Sequence, residues 1–313
     1  MNMRQTIFQI FLFFLVGGLL TSCEKMNIED SSGEAVPTQH NVVIRIADID
    51  NGWNGATSRA QVKISDVCSR LQFAVYQYGS RVKSVNQRVG DSDFGTFALQ
   101  LETGTYQLLV LGHSGANTVV TTNPAKLQFT NPGTTNGTGF TDTFYYYGDI
   151  VVTNDGAQVN ISMKRATSMF RMKTNDSKPA NVKKFQFYYT GGSGALDATT
   201  GFGCVNSKQT VIVTLDDAQT GQPLTFDMYT FLHQENGTVT FTVTAFNDVD
   251  SVLYTKEFKA QMKRNCITQY TGNFFTNGNE EEPDVPTEPE PEDPSSDVIY
   301  VDSEWADVFE YTF

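Results

Sequence analysis

Apolar and polar positions alternate along most of this chain. In "LQFAVYQY" (71–78), Leu71, Phe73 and Val75 share one face, with Gln72 and Gln77 among polar neighbours. A period of two describes a strand with one side turned inward. "NVVIRIADI" (41–49) and "FGTFALQL" (94–101) read as strands too, and after a turn at Gly104, Tyr106 to Leu111 read as a buried one. "TFYYYGDIVVT" (143–153) and "AQVNISMKRA" (157–166) flank Asn154-Asp155-Gly156, a strong hairpin signal. Between them, residues 114–142 are rich in Thr, Asn and Gly and read as a long loop region. The second half repeats the grammar at 182–194, 209–215, 224–235, 237–248, 252–260 and 265–275, with a tight turn around Asp248 to Ser251. No helical period of convincing length appears. The prediction is an all-β chain of two tandem antiparallel sandwiches, transthyretin-like or Ig-like, over 40–165 and 166–277. Leu71, Phe73, Val75, Tyr106, Leu108 and Val110 are expected inward in the first half, and Phe185, Phe187, Phe241, Val243 and Phe274 in the second.

The two ends break the pattern. Ile7 to Leu20 is an apolar run with Arg4 upstream. It falls short of the roughly 20 residues a spanning helix needs and has the outline of a secretory signal. It closes on Leu20-Thr21-Ser22-Cys23, which resembles a bacterial lipobox. That resemblance implies removal of residues 1–22 and attachment of lipid at Cys23. One acyl chain holds a protein only marginally, whereas two or three hold it stably. Residues 23–39 then read as a flexible tether.

At the other end, 278–297 ("GNEEEPDVPTEPEPEDPSSD") holds five of the ten prolines and reads as an extended, self-repelling spacer. It precedes "VIYVDSEWADVFEYTF" (298–313), a strand with one apolar face formed by Ile299, Val301, Trp305, Phe309, Tyr311 and Phe313. Such a face must dock, because each large side chain gains roughly 1.5–3 kcal/mol on burial. The spacer's length favours donation of this strand to another molecule, with docking on the chain's own second half as the alternative.

The net charge of −13 sits in the tail. Residues 280–313 hold 13 acids and no Lys or Arg, which leaves 22 acids against 22 bases in the rest. With no basic stripe and an acidic tail, nucleic-acid binding is excluded. With Cys23 assigned to lipid, Cys68, Cys204 and Cys266 remain. Cys204 and Cys266 fall in the second half of an exported chain, so they are candidates for a disulfide, or else small buried residues. No C-x-x-C or paired-histidine spacing occurs, so no metal or cofactor is expected.

Catalytic signals are poor. His40, His113 and His233 share no motif, and His113-Ser114 in "VLGHSG" is not a nucleophile elbow. "DIDNGWNG" (48–55) lacks calcium-loop spacing and reads as a polar loop. Trp53 and Tyr145 to Tyr147 could stack on sugar rings, although Tyr-rich strands are more often packing. The expectation is a chain that is not an enzyme.

Several stretches resemble the anchor and minor-subunit lipoproteins of Bacteroidales-type (type V) fimbriae, the FimB-like family. They are "LETGTYQLLVLGH", "VNISMKRATSMFRM", "KRNCITQYTGNFF" and the Trp-containing end "IYVDSEWADVFEYTF". The likeness spans most of residues 40–277, and the long Glu-Pro spacer departs from it. The resemblance implies two transthyretin-like sandwiches and an outer-membrane lipoprotein of a fimbrium, pairing with pilin subunits by strand addition. The alternative reading is a surface glycan-binding lipoprotein of a nutrient-uptake system.

Overall fold

A computed structural model describes residues 40–50, 64–116, 118–129, 139–276 and 305–313. Its first half contains β1 (Val42–Asp50), β2 (Arg70–Gln77), β3 (Ser80–Arg88), β4 (Thr96–Leu99), β5 (Gly104–His113), β6 (Leu127–Gln128), β7 (Thr143–Val152) and β8 (Ala157–Arg165). The second contains β9 (Ser168–Thr174), β10 (Lys184–Thr190), β11 (Ala195–Asp197), β12 (Phe202–Gly203), β13 (Gln209–Thr214), β14 (Thr225–Thr230), β15 (Asn236–Phe246), β16 (Val252–Lys263), β17 (Cys266–Gly272) and β18 (Asp307–Thr312). The only helices among the described residues are one turn at Ile64–Val67 and a 3-10 turn at Asp217–Gln219. The all-β expectation holds.

Seven strands of the first half follow the order β3-β2-β5-β7-β8-β1-β4. The sheet folds over at β7 and β8. Gly156 turns the hairpin with φ 83°, and there an added Cβ would meet Asn41 O at 2.0 Å. Beyond the turn the two strands pair only at Phe144–Arg165 and Tyr145–Lys164, because β8 pairs in parallel with β1 instead. The splayed strands put two layers face to face. Leu71, Phe73 and Val75 of β2 and Leu108 and Val110 of β5 pack in one core with Phe97 of β4 and Ile161 of β8. The rings of Phe73 and Phe97 lie 5.1 Å apart across it.

In the second half, sheet β13-β10-β15-β16 faces sheet β14-β9-β17-β18. Phe170 stacks on Phe241 at 4.0 Å through the middle, and Phe185, Phe187 and Phe274 are fully buried. All eleven residues expected inward lie at 4 % exposure or less. Two predicted details differ. Pairing is not purely antiparallel, since β1–β8, β9–β17 and β17–β18 run parallel. And β2 is buried on both faces.

The second face of β2 meets the region read as a loop. Ala74, Tyr76, Leu109 and Leu111 pack there with Leu127, Phe140, Leu196 and Phe231, so both halves contribute to one cluster. Gln72 survives burial because its amide meets Val119 twice, donating to its carbonyl at 2.9 Å and accepting from its N–H at 2.8 Å. A small sheet, β12-β11-β6, ties residues 127–128 to 195–196.

Candidate functional site at the C-terminal strand

The end strand is docked on its own second half. β18 pairs in parallel with β17, from Cys266–Asp307 to Thr271–Thr312. This is the alternative to the donation favoured above, and the pairing direction explains it. An antiparallel return needs two residues, whereas a parallel return must run back along the strand and needs a dozen or more. The length of the spacer is therefore compatible with a neighbouring strand in the same sheet. The spacer, and Ile299 and Val301 of the end segment, lie outside the described residues.

The alternation seen in the sequence is present. Asp307, Val308, Glu310 and Thr312 are exposed, while Phe309, Tyr311 and Phe313 are half-buried. Tyr311 sits 5.0 Å from Tyr270, and Phe313 meets Phe258 edge-on at 4.9 Å, with Lys256 Nζ 5.1 Å from its ring centre. Both rings sit at the margin of the second core. Gln269 donates to Glu310 Oε1 at 2.9 Å. The last contact is backbone on backbone. Phe313 N–H donates to Thr271 O at 3.1 Å, and a Cβ on Gly272 would lie 1.8 Å from Phe313 O. Only glycine lets the chain end approach so closely.

Just before β18, Trp305 reaches the junction between the halves. Its ring lies 4.1 Å from the Arg165 guanidinium carbon and stacks at 6.1 Å on Tyr229. Arg165 ends β8 and is buried, so its charge needs partners. Nε donates to both Asp142 oxygens at 2.9 and 3.0 Å, and Nη1 to Asn265 Oδ1 at 2.7 Å. Thr167 Oγ1 donates to the same carboxylate at 2.9 Å, and Phe144 lies beneath the guanidinium at 4.8 Å. Asn265 takes φ 60° in the turn from β16 to β17 and accepts Ala306 N–H at 2.8 Å. One node thus joins β8, the turn before β17 and the start of the C-terminal strand. Burial, with the Asp142 charge second, pushes the Tyr229 hydroxyl up to about 12, so it stays neutral beside Trp305.

Next to the node a cleft of about 480 Å³ opens, lined by Phe140, Val211, Phe226, Met228, Asp142 and Asp227. Both carboxylates are engaged, Asp142 by Arg165 and Asp227 by Arg171 Nε and Nη2 at 2.7 and 2.8 Å.

The remaining candidates are placed as follows. Cys23, Trp53 and the 51–55 part of "DIDNGWNG" lie outside the described residues. Cys204 is exposed and Cys266 is buried in β17, and both are free thiols. Of the two readings given to this pair, a disulfide or small buried residues, Cys266 has the burial of the second, which pushes its thiol up to about 11, and Cys204 does not. His113 is buried with Nδ1 accepting Gly115 N–H at 3.1 Å, and burial pushes it down to about 4. Tyr145 is buried, and Tyr146 and Tyr147 are half-buried. Among the described residues no cluster of His, Cys, Asp or Glu could hold a metal ion. The sequence reading missed Arg165 and Asp142 as a pair, 23 residues apart. Its only signal was a lone arginine in the segment between the halves.

The family described as "Fimbrillin-A associated anchor proteins Mfa1 and Mfa2" matches residues 64–306. No curated protein matches the chain. Among solved structures, the fimbrial anchor protein Mfa2 from Porphyromonas gingivalis is similar at 13% identity, over 69% of this chain and 80% of that one, with a TM-score of 0.41. A candidate adhesin from Bacteroides ovatus is similar at 12% identity over 77% and 88%, with a TM-score of 0.45. These structural likenesses are low, and the family match alone carries the assignment.

Proposed function

Because this chain belongs to the family of fimbrillin-A associated anchor proteins, we propose that it is a fimbrial anchor or minor fimbrial subunit, an outer-membrane lipoprotein held by acylated Cys23 and joined to pilin subunits through its C-terminal strand. The observation that carries the reading is the family match over 64–306 together with a C-terminal strand docked at a sheet edge. The work is mechanical. Lipid resists extraction at one end, and a strand shared with a neighbour resists it at the other, with main-chain hydrogen bonds giving strength and alternate side chains giving register.

β18 suits such a role because, beside its main-chain ladder to β17, its apolar side chains are only half-buried and its last residue makes a contact that depends on Gly272. A partner groove offering the same ladder and fuller burial of Phe309, Tyr311 and Phe313 would take the strand from β17. The self-docked strand then stores the apolar face until a pilin arrives.

Retrieval of fimbrial material from an outer-membrane fraction tests the proposal. Full-length protein retrieves it, and protein truncated before residue 298 does not. Equal retrieval by the truncated protein refutes strand sharing. Separately, Cys23→Ser abolishes labelling by a palmitate analogue and leaves soluble protein or unprocessed precursor; undiminished labelling refutes the lipid site.

A further inference from the structure

Another sheet edge lies in the first half. Among the described residues, β3 ends the seven-stranded order and has β2 on one side only. The direction of its free backbone groups follows from the ladder. Val89 N–H donates to Ser69 O at 2.8 Å, and the register continues through Gln87–Leu71, Val85–Phe73 and Lys83–Val75. Residues 83, 85 and 87 therefore bond to β2, and Ser84, Asn86 and Arg88 turn their N–H and C=O groups outward. Arg88 confirms the parity, since its N–H goes to Asp91 Oδ2 at 2.8 Å rather than to a strand.

The side chains around this edge are unusual for the molecule. Every residue of β3 except Gln87 is exposed. Val82, Val85 and Val89 stand 42%, 36% and 49% exposed. Arg81, Lys83 and Arg88 are interleaved with them, and no Asp or Glu occurs between Asp66 and Asp91. Arg81 Nη1 donates to Thr121 Oγ1 at 2.9 Å. Among the described residues none of these cations is in an ion pair with a carboxylate. In a globular part whose charges cancel, this is a local excess of positive charge around an edge strand.

We infer that β3 is an acceptor edge for an extended acidic segment of a partner protein, which adds as an eighth strand to the first sheet. Ser84 and Asn86 supply the outward main-chain bonds, the valines supply apolar cover, and Arg81, Lys83 and Arg88 select carboxylates opposite or diagonal to them. A second copy of β3 would bring the same three cations and is repelled, so the edge is closed to self-association and open to the opposite charge.

The probe is a fluorescein-labelled nine-residue peptide of alternating glutamate and valine, with fluorescence anisotropy as the readout. The expected result is saturable binding that weakens with salt, no binding of the lysine–valine counterpart, and at least a tenfold loss when alternate amides of the acidic peptide are N-methylated. Asn86→Pro, which removes an N–H that faces outward and leaves the β2 ladder intact, has the same effect. The double variant Arg81→Glu, Lys83→Glu reverses the charge preference. Absence of saturable binding to the unaltered protein overturns the inference. So does equal binding of the N-methylated peptide, which would mean charge attraction without strand addition; both comparisons use the unaltered protein.

Discussion

Two edge strands of the molecule are built in different ways. In the second half β18 ends its sheet with β17 on one side, and its aromatic side chains lean on the margin of the core. In the first half β3 ends its sheet with β2 on one side and is studded with cations. An edge strand exposes a row of unpaired backbone groups and invites pairing by any extended chain. Docking β18 satisfies β17 and moves the open row onto β18 itself, whereas charge along β3 restricts which chains can pair there. The contrast sets an aromatic, self-docked end strand against a cationic, solvent-exposed edge strand within one molecule.

Breaking the node at the start of the C-terminal strand has the largest expected effect. Arg165→Met strips Asp142 of its main partner, and breaking a buried pair in this way costs about 3–5 kcal/mol. Chemical denaturation would read the loss, and a cost below about 1 kcal/mol would mean that the junction does not depend on the pair. Truncation before residue 298 comes next. It removes three half-buried rings and the stacking of Trp305, so a loss of about 2–4 kcal/mol is expected after discounting the full-burial values. Unchanged melting would place the strand's main role elsewhere.

The His113 effect is similar in size and confined to one pH window. Burial lowers its folded-state value from 6.5 to about 4. The unfolded chain therefore binds a proton between these values while the folded one does not, and stability falls as pH drops from 6.5 to 4. The fall is at most about 3.4 kcal/mol, from 1.36 kcal/mol per unit. His113→Gln should flatten that slope in pH-dependent denaturation. The smallest effect belongs to the β3 edge. Lys83→Glu should move stability by no more than about 0.5 kcal/mol, since it touches only an exposed strand. A loss of several kcal/mol would mean that β3 is structurally tied in rather than available.

Why one edge was legible in the sequence and the other was not follows from the same contrast. β18 stood out because Phe309, Tyr311 and Phe313 alternate with polar residues after a spacer without apolar content. β3 gave no alternation of apolar residues, since its neighbours across the sheet, Leu71, Phe73 and Val75, carry the core. The residues 114–142 read as loop because Thr, Asn and Gly dominate them, yet Leu127 and Phe140 anchor the cluster between the halves. Parallel pairing was also hidden, because a strand's own pattern does not say which way its neighbour runs. Arg165 and Asp142 meet only through the fold, and no spacing rule brings them together.

The most direct test of the account is to staple the strand. Gln269 and Glu310 stand opposite each other in the β17–β18 ladder. In a Cys204→Ser background, the pair Gln269→Cys and Glu310→Cys would lock β18 to β17 when oxidised. Retrieval of fimbrial material from outer-membrane fractions is then measured with and without reductant. The oxidised protein, folded and lipidated, is expected to fail to retrieve fimbrial subunits, and reduction to restore retrieval. Equal retrieval by the oxidised and reduced forms would show that β18 never leaves its own sheet, and would contradict the account.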